Sequence, residues 1–152
     1  MTARMQAVDP DFVSRVRGSF GRQRAMALIG ASLTLVESGH VEIELPYRED
    51  LTQQKGYVHG GIVGMIADSA CGYAAYTLMP ATSSLVTVEY KINLLAPALG
   101  ESLLARGEVI KPGRTLSVTR AEVYARQGGK TVQVAAMQQT LMMLPDTPDT
   151  QE

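Results

Sequence analysis

Asp68 is the residue of this chain whose surroundings most strongly indicate chemistry. It is the only formally charged side chain between Lys55 and Glu89, and it lies in the most apolar stretch of the sequence. A carboxylate loses hydration energy on burial, so an isolated aspartate here is solvated at a helix edge, satisfied by nearby donors, or functional. We favour the functional interpretation, and the other two stay open at this point.

Small residues recur around Asp68 at the spacing of one helical turn. Gly60, Gly64, Asp68, Gly72 and Tyr76 fall four residues apart, which places them on one face of a helix. Asp68 then has a position without a side chain one turn before it and one turn after it. This arrangement leaves room for a substrate and a water molecule, or for close packing against a second helix, and the two interpretations are compatible.

The helix that is predicted to begin near Gly60 also presents backbone donors. The first N–H groups of a helix have no partner within it, and the helix dipole adds partial positive charge there. Because glycine leaves the backbone uncovered, a carbonyl oxygen that gains negative charge could approach the N–H of Gly60 or Gly61. Eight residues of helix span about 12 Å, so Asp68 and Gly60 of one helix cannot act on the same carbonyl carbon. We therefore expect a twofold dimer that brings Asp68 of one chain beside Gly60 of the other.

Proline, glycine and hydrophobic periodicity divide the rest of the chain. Asp9 and Pro10 predict the N-cap and first position of a short helix that Gly18 and Gly21 end. In the strand at 85–93, simple alternation separates Thr87 from the face that carries Tyr90. The predicted elements are that short helix, a hairpin of strands 31–37 and 41–45, a loop at 48–57, a helix from 60 to 79 ended by Pro80, and strands at 85–93, 102–110, 115–126 and 131–144.

This element order predicts an α+β fold in which one antiparallel sheet wraps around a long, central, apolar helix. Residues 1–144 form a single domain, and the polar tail at 145–152 is predicted to be disordered. A strand edge and a half-covered helix in a chain of 152 residues favour a homodimer, or a dimer of dimers.

Composition argues against several classes of function. A net charge of −1 without a basic run gives no footprint for nucleic acid. The single Cys71 cannot form an intrachain disulfide, and with two histidines it makes no metal-ligand spacing, so neither metal nor cofactor is expected. The first ten residues lack a secretory signal, which makes the cytoplasm the expected location. Residues 60–79 are long enough to raise the question of a membrane span, but Asp68 and the following strands favour a buried helix.

The sequence resembles the hotdog-fold acyl-CoA thioesterases of the phenylacetate-degradation type, the PaaI-like group. Four features carry the resemblance over residues 25–144: the run at 53–61 that contains His-Gly-Gly, Asp68 eight residues after Gly60, the strand at 86–93 that leads to Pro97, and the turn at 111–115. The resemblance implies a hotdog fold and an active site at a dimer interface.

The resemblance also implies roles for individual residues. Asp68 is expected to activate water as a general base, or to attack as a nucleophile and form a mixed anhydride. Gln53 would hydrogen-bond near the thioester, and Thr87 would hold the water. His59 would cap the helix, contact the leaving sulfur or position the turn. Structural alternatives stay open for three of these residues. Gln53 would then be a solvated loop amide, Thr87 a β-branched strand residue and His59 a structural histidine.

Binding residues are implied in the same way. The acyl pocket is expected to use residues that otherwise simply fill core, while cations at a Pro-Gly turn would bind the coenzyme A phosphates or be ordinary turn charges. Some relatives place a hydroxyl residue where this chain has Gly72, so no helix hydroxyl acts there. The pocket residues are Met65, Tyr73, Tyr76 and Met79; Gly61 and Gly72 are expected to bind substrate as positions without a side chain, and the cations are Lys111 and Arg114.

The leading hypothesis is therefore hydrolysis of an acyl- or aryl-acyl-CoA to a carboxylate and free coenzyme A. A hotdog dehydratase or hydratase that pairs His59 with Asp68 as acid and base is the alternative enzyme. A non-catalytic acyl-CoA-binding module is the alternative outside catalysis.

Overall fold

The structure, a computed structural model, describes residues 5–150. The N-terminal residues 1–4 and the last two residues, on which the leader and tail predictions partly rest, lie outside the described range. The helices are α1 (Phe12–Arg22), α2 (Arg24–Ile29) and α3 (Gly60–Tyr76), with a short 3₁₀ turn at Glu49–Leu51; the strands are β1 (Ser32–Glu37), β2 (His40–Pro46), β3 (Ser84–Leu94), β4 (Ser102–Lys111), β5 (Leu116–Gln127) and β6 (Lys130–Leu144).

One six-stranded antiparallel sheet, in the order β1-β2-β4-β5-β6-β3, holds α3 on its inner face. This confirms the predicted arrangement of a hairpin, one central helix and four further strands. The core lies between α3 and the sheet, and it is made of alternate strand residues and the small and branched residues of the helix. β1 and β3 form the two edges of the sheet, so β3 can accept another strand.

Gly107 of β4 allows α3 to lie unusually close to the sheet. A Cβ atom at this position would stand 2.2 Å from the carbonyl oxygen of Ala70 in α3. The carbonyl oxygen belongs to the helix backbone, and the position of a Cβ atom is fixed by the strand backbone, so neither atom can move aside. Only glycine therefore fits at this crossing.

The carboxyl end of α3 is held by a cation from α1. Arg15 donates hydrogen bonds to the carbonyl oxygens of Tyr76 (3.2 Å) and Met79 (2.9 Å), and its guanidinium lies 4.2 Å from the Tyr76 ring centroid. Asp9 pairs with the same arginine at 2.7 Å. A positive charge at this end complements the helix dipole. The helix ends at Tyr76 and continues as a turn, a little before the predicted end at Met79.

The amino-terminal region differs from the prediction in three respects. α1 begins at Phe12 with Asp11 as its N-cap, and Asp9 instead accepts a hydrogen bond from the Asp11 N–H. The helix passes through Gly18 and Gly21, because a glycine costs only about 1 kcal/mol in a helix whose other face is buried. α2 was not predicted; extended backbone at its N-cap separates it from α1, and a left-handed glycine ends it.

The carboxyl-terminal segment was predicted to be disordered from residue 145. In the structure, residues 145–150 turn back toward α1, where the carboxylate of Asp149 accepts hydrogen bonds from Ser19 and, at 3.3 Å, from Arg22. The Ser19 hydroxyl and the Arg22 guanidinium of α1 thus bind this polar tail, and the sequence of the tail alone does not reveal these partners.

Candidate active site

The glycine-rich face of α3 lies along the edge strand β3, which runs antiparallel to it. Each glycine of this face has a β3 side chain within 4 Å of the place where its Cβ atom would be, and Asp68 is hydrogen-bonded to the strand. The absence of side chains therefore brings β3 close to the helix. From the amino end of α3, the pairs are Gly60 with Leu94, Gly64 with Tyr90, Asp68 with Thr87 and Gly72 with Leu85.

A β-bulge changes which side chains of β3 face the helix. The pairing of β3 with β6 shifts register between Thr87 and Glu89. Simple alternation predicted that Thr87 and Tyr90 point to opposite faces, and this prediction was wrong, because both contact α3. An extra residue in one strand inverts the alternation beyond it.

Two neutral donors hold the carboxylate of Asp68. The Thr87 hydroxyl and the side-chain amide of Gln139 in β6 each donate to Oδ1 at 2.8 Å. Among residues 5–150, no cation forms an ion pair with Asp68 and no group donates a hydrogen bond to Oδ2. One oxygen is therefore fixed, and the other has no hydrogen-bond donor among these residues.

Asp68 and Thr87 line a cavity of about 230 Å³ between α3, β3 and α1. Hydroxyl and carboxylate groups form its wall on the α1 side, where the Ser19 and Tyr73 hydroxyls lie 3.2 Å apart. Burial raises the pKa of Tyr73, so this phenol stays protonated at neutral pH. The lining residues are Ser19, Gln23, Asp68, Ser69, Gly72, Tyr73, Tyr76, Leu85, Thr87 and Asp149.

The amino end of α3 leaves a single backbone donor free. The N–H groups of Ile62 and Val63 donate to the carbonyl oxygen of His59, and the Gly61 N–H donates to His59 Nδ1 at 2.8 Å. Within the described chain, the Gly60 N–H is the one group of this first turn without a partner. His59 thus acts as the helix cap, and its ring engages the Gly61 donor that was expected to bind substrate.

Four of the predicted site residues lie around Asp68 and the rest do not. Gly72, Tyr73 and Tyr76 line its cavity, as does Thr87, whereas Met65 packs against the core and Met79 is buried within it. His59, Gly60 and Gly61 belong to the amino end of α3, and Gly60 lies about 12 Å from Asp68 along the helix axis.

Gln53 and the two predicted phosphate-binding cations lie in turns. The Gln53 side chain accepts a hydrogen bond from the backbone N–H of Lys55 in its own loop. Lys111 and Arg114 are exposed at the β4–β5 turn. The N–H of Met143 in β6 donates a hydrogen bond to the carbonyl oxygen of Thr115, at the end of this turn. Met143 also pairs with Leu85 of β3, which lines the cavity. The cations and the cavity therefore lie at the same end of the sheet.

Four polar residues that surround Asp68 from outside α3 were not predicted from the sequence: Gln139, Ser19, Gln23 and Asp149. Only Gln139 leaves a signal in the sequence. It interrupts an alternating apolar row on β6, between Met137 and Leu141, and a polar residue in such a row is buried beside something that needs it. The other three reach the cavity from α1, the residue that follows it and the tail, whose placement no local pattern reveals.

The chain is similar in sequence and in structure to known thioesterases. The model of the thioesterase superfamily matches residues 55–132 of this chain. A thioesterase family protein from Silicibacter pomeroyi has a similar structure, with 48% identity and a TM-score of 0.87 over 88% of this chain and 98% of its own. Human acyl-coenzyme A thioesterase 13 is 29% identical over 66% of this chain and 73% of its length.

A further solved structure bears on the fold alone. The PaaI protein of the Escherichia coli phenylacetic acid degradation operon is 17% identical, with a TM-score of 0.79 over 88% of this chain and 94% of its own. Three putative esterases, two from Saccharolobus solfataricus and one from Halobacterium salinarum, match this chain over 66% to 74% of their own length. Within residues 5–150, no helix is long and apolar enough to cross a membrane. The structural likeness confirms the predicted hotdog arrangement, and the family match over residues 55–132 confirms the resemblance to thioesterases.

Proposed function

Because the chain belongs to the thioesterase superfamily and is a thioester hydrolase, we propose that it cleaves an acyl- or aryl-acyl-CoA into a carboxylate and free coenzyme A. One observation carries this proposal: a carboxylate with one hydrogen-bonded and one free oxygen lines a cavity, on a helix whose first turn keeps one N–H without a partner among residues 5–150. The name of a similar protein, acyl-coenzyme A thioesterase 13, supports the substrate class.

In the proposed reaction, Oδ2 of Asp68 takes a proton from water while the water oxygen attacks the thioester carbonyl carbon. Negative charge develops on the carbonyl oxygen, and a Gly60 N–H at a helix amino terminus stabilises it. The tetrahedral intermediate then expels the coenzyme A sulfur, which takes the proton held by Asp68 and leaves as the thiol, and the acid that remains loses its proton to water to give the carboxylate. Direct attack by Asp68, with hydrolysis of the resulting anhydride, uses the same free oxygen.

The proposed site needs two chains, since Asp68 and Gly60 of one helix are too far apart. β3 is an edge strand, and Val86, Val88 and Tyr90 on it are about half exposed. An antiparallel pairing of two β3 strands centred between residues 90 and 91 sets Thr87 opposite the partner's Leu94. Since these two side chains contact Asp68 and Gly60 respectively, each Asp68 would then lie beside the partner's Gly60.

Mixed dimers test the shared site. Asp68→Asn removes the base and Gly60→Pro removes the donor, so a heterodimer of the two variants contains one site with both defects and one site with neither. We expect such heterodimers, isolated with two affinity tags, to recover about half the turnover of the wild-type dimer. Verified heterodimers that stay as inactive as the parents would contradict the shared site.

The cavity also bears on the acyl group. Its volume of about 230 Å³ falls below the 300–1,000 Å³ or so of sites for drug-sized ligands, so a short acyl chain or a single ring fits better than a long fatty chain. The partner's Gln53 and His59 would lie on the oxyanion side of the site, and Lys111 and Arg114 are the proposed contacts for the coenzyme A phosphates.

The alternative functions lose support from the position of His59. Its Nδ1 already accepts a hydrogen bond from the Gly61 N–H, so this nitrogen is not free to act as a base, either in its own chain or beside the partner's Asp68. The free oxygen of Asp68 favours catalysis over a module that only binds acyl-CoA.

A thiol-release assay across short, medium, long and aromatic acyl-CoAs tests the function. Asp68→Asn should lower kcat by at least about a hundredfold with little change in KM, because the base is lost and the volume is kept. Asp50→Asn, which alters an exposed aspartate elsewhere, is the matched control. Near-wild-type turnover of Asp68→Asn on the best substrate would show that Asp68 is structural.

A further inference from the structure

Gln139 has the geometry of a residue that orients the catalytic carboxylate. Its side chain is only 1% exposed and lies beneath Asp68, on the sheet side of α3. Nε2 donates to Asp68 Oδ1 at 2.8 Å, to the Asp68 backbone oxygen at 3.3 Å and to Thr87 Oγ1 at 3.3 Å. The amide thus contacts the three groups that define where the carboxylate sits.

The oxygen of the Gln139 amide makes no comparable contact. Oε1 of Gln139 is buried without a hydrogen-bond partner among the described residues. An unpaired buried acceptor is destabilising, and an apolar side chain of equal length would suit this row of β6 better. A buried amide that favours the folded state so poorly, yet directs its N–H groups at Asp68, is better explained by the reaction than by packing.

From these contacts we propose that Gln139 is a positioning residue, which fixes Oδ1 of Asp68 so that Oδ2 faces the substrate. The inference rests on the proposed thioesterase function. The terminal torsion of an aspartate is broad, so a carboxylate held only by the exposed Thr87 hydroxyl would rotate. Gln139 limits that rotation from a strand that is paired on both sides, with its own carbonyl oxygen accepting from Thr119 at 3.2 Å. When Oδ2 of Asp68 is held toward the substrate, a larger fraction of the enzyme–substrate complexes has the geometry that the reaction needs.

Gln139→Met tests the inference, because it keeps the length of the side chain and removes the donor. We expect kcat to fall at least about tenfold while KM stays within about threefold of wild type, since a positioning group acts mainly in the transition state. The melting temperature should not fall, since the unpaired Oε1 is removed as well. Gln138→Met, the same change at the neighbouring exposed residue, should leave kcat unchanged.

Two further variants distinguish positioning from a structural role. Gln139→Asn keeps a core amide but withdraws it by one methylene, so it should also lower kcat, and it provides the test if the Met variant does not fold. In an Asp68→Asn background, assayed at raised enzyme concentration, Gln139→Met should lower the residual rate by less than about twofold, because its effect passes through Asp68.

The outcomes separate this inference from the function on which it rests. A wild-type protein that releases no thiol from any acyl-CoA of the panel overturns the proposed function, and the inference with it. An active wild type whose Gln139→Met and Gln139→Asn variants keep wild-type kcat overturns the inference alone. A loss of kcat that occurs only with a matching fall in melting temperature, or an equal loss in the Asp68→Asn background, also overturns it.

Discussion

Replacing Gly60 by proline removes the one free N–H at the start of α3 without disturbing the helix. Proline suits the first position of a helix, because that N–H has no partner inside the helix and the fixed φ angle is helical. The residue before a proline must be extended, and His59 already is, with φ −57° and ψ 136°. Gly60→Pro should therefore fold.

Gly60→Ala is the matched control. An added Cβ atom at this position stands 2.7 Å from Leu94 Cδ1, the end of a flexible and exposed side chain that can turn aside. Both variants carry the Cβ atom that meets Leu94, and only proline lacks the N–H. Loss of one oxyanion donor costs about 10²–10³ in kcat, or roughly 2.7–4 kcal/mol. With the other N–H groups of the turn already engaged, Gly60→Pro should fall in this range.

The assay is thiol release at saturating acyl-CoA, with the melting temperature and dimer state of both variants measured in parallel. We expect Gly60→Ala to lose much less activity than Gly60→Pro. Equal kcat values for the two variants, with both dimeric and folded, would refute the assignment of the Gly60 N–H as the oxyanion donor.

Three further predictions concern the fold. Gly107→Ala should be destabilised by at least about 1–3 kcal/mol in urea melts, because the new Cβ meets backbone 2.2 Å away, whereas Gly21→Ala, with nothing within 4 Å in a helix, should raise stability. Burial raises the pKa of the Cys71 thiol to about 12, so a disulfide reagent should label it only after denaturation, and labelling of the native protein would contradict its burial. Hydrogen bonds from Arg15 and a backbone N–H hold the pKa of Asp9 below its ordinary value of 3.8. This stabilisation is present above about pH 4 and is lost as the pH falls through the lowered pKa, so Asp9→Asn should lower the melting temperature at neutral pH and lower it less in acid; an equal difference at every pH would contradict this pairing.

Local patterns in the sequence determined the elements of this protein and half of its candidate site. Alternating and helical periodicities, with prolines and glycines between them, predicted one central helix and the strands around it, since these signals depend only on near neighbours. The isolated charge of Asp68 and the glycines at the start of its helix marked the two chemical groups. Helix geometry alone then predicted that the proposed site needs a second chain, because about 12 Å separates Gly60 from Asp68.

The sequence signals failed where a contact joins residues far apart in the chain. α1 ran through its glycines because tertiary burial outweighed their weak helix propensity. The bulge at residues 87–89 inverted the face of Tyr90, because the register of β3 is decided by its partner β6 and not by the strand itself.

Only the tertiary structure decided what surrounds the carboxylate of Asp68. Gln139 is 71 residues away along the chain and reaches it through the pairing of β3 with β6. Ser19 and Asp149 lie at opposite ends of the chain and meet at the wall of the same cavity. The local sequence can show that a buried charge needs partners, but the choice of partner follows from strand register and from packing of the termini, which are set by the energy of the whole fold.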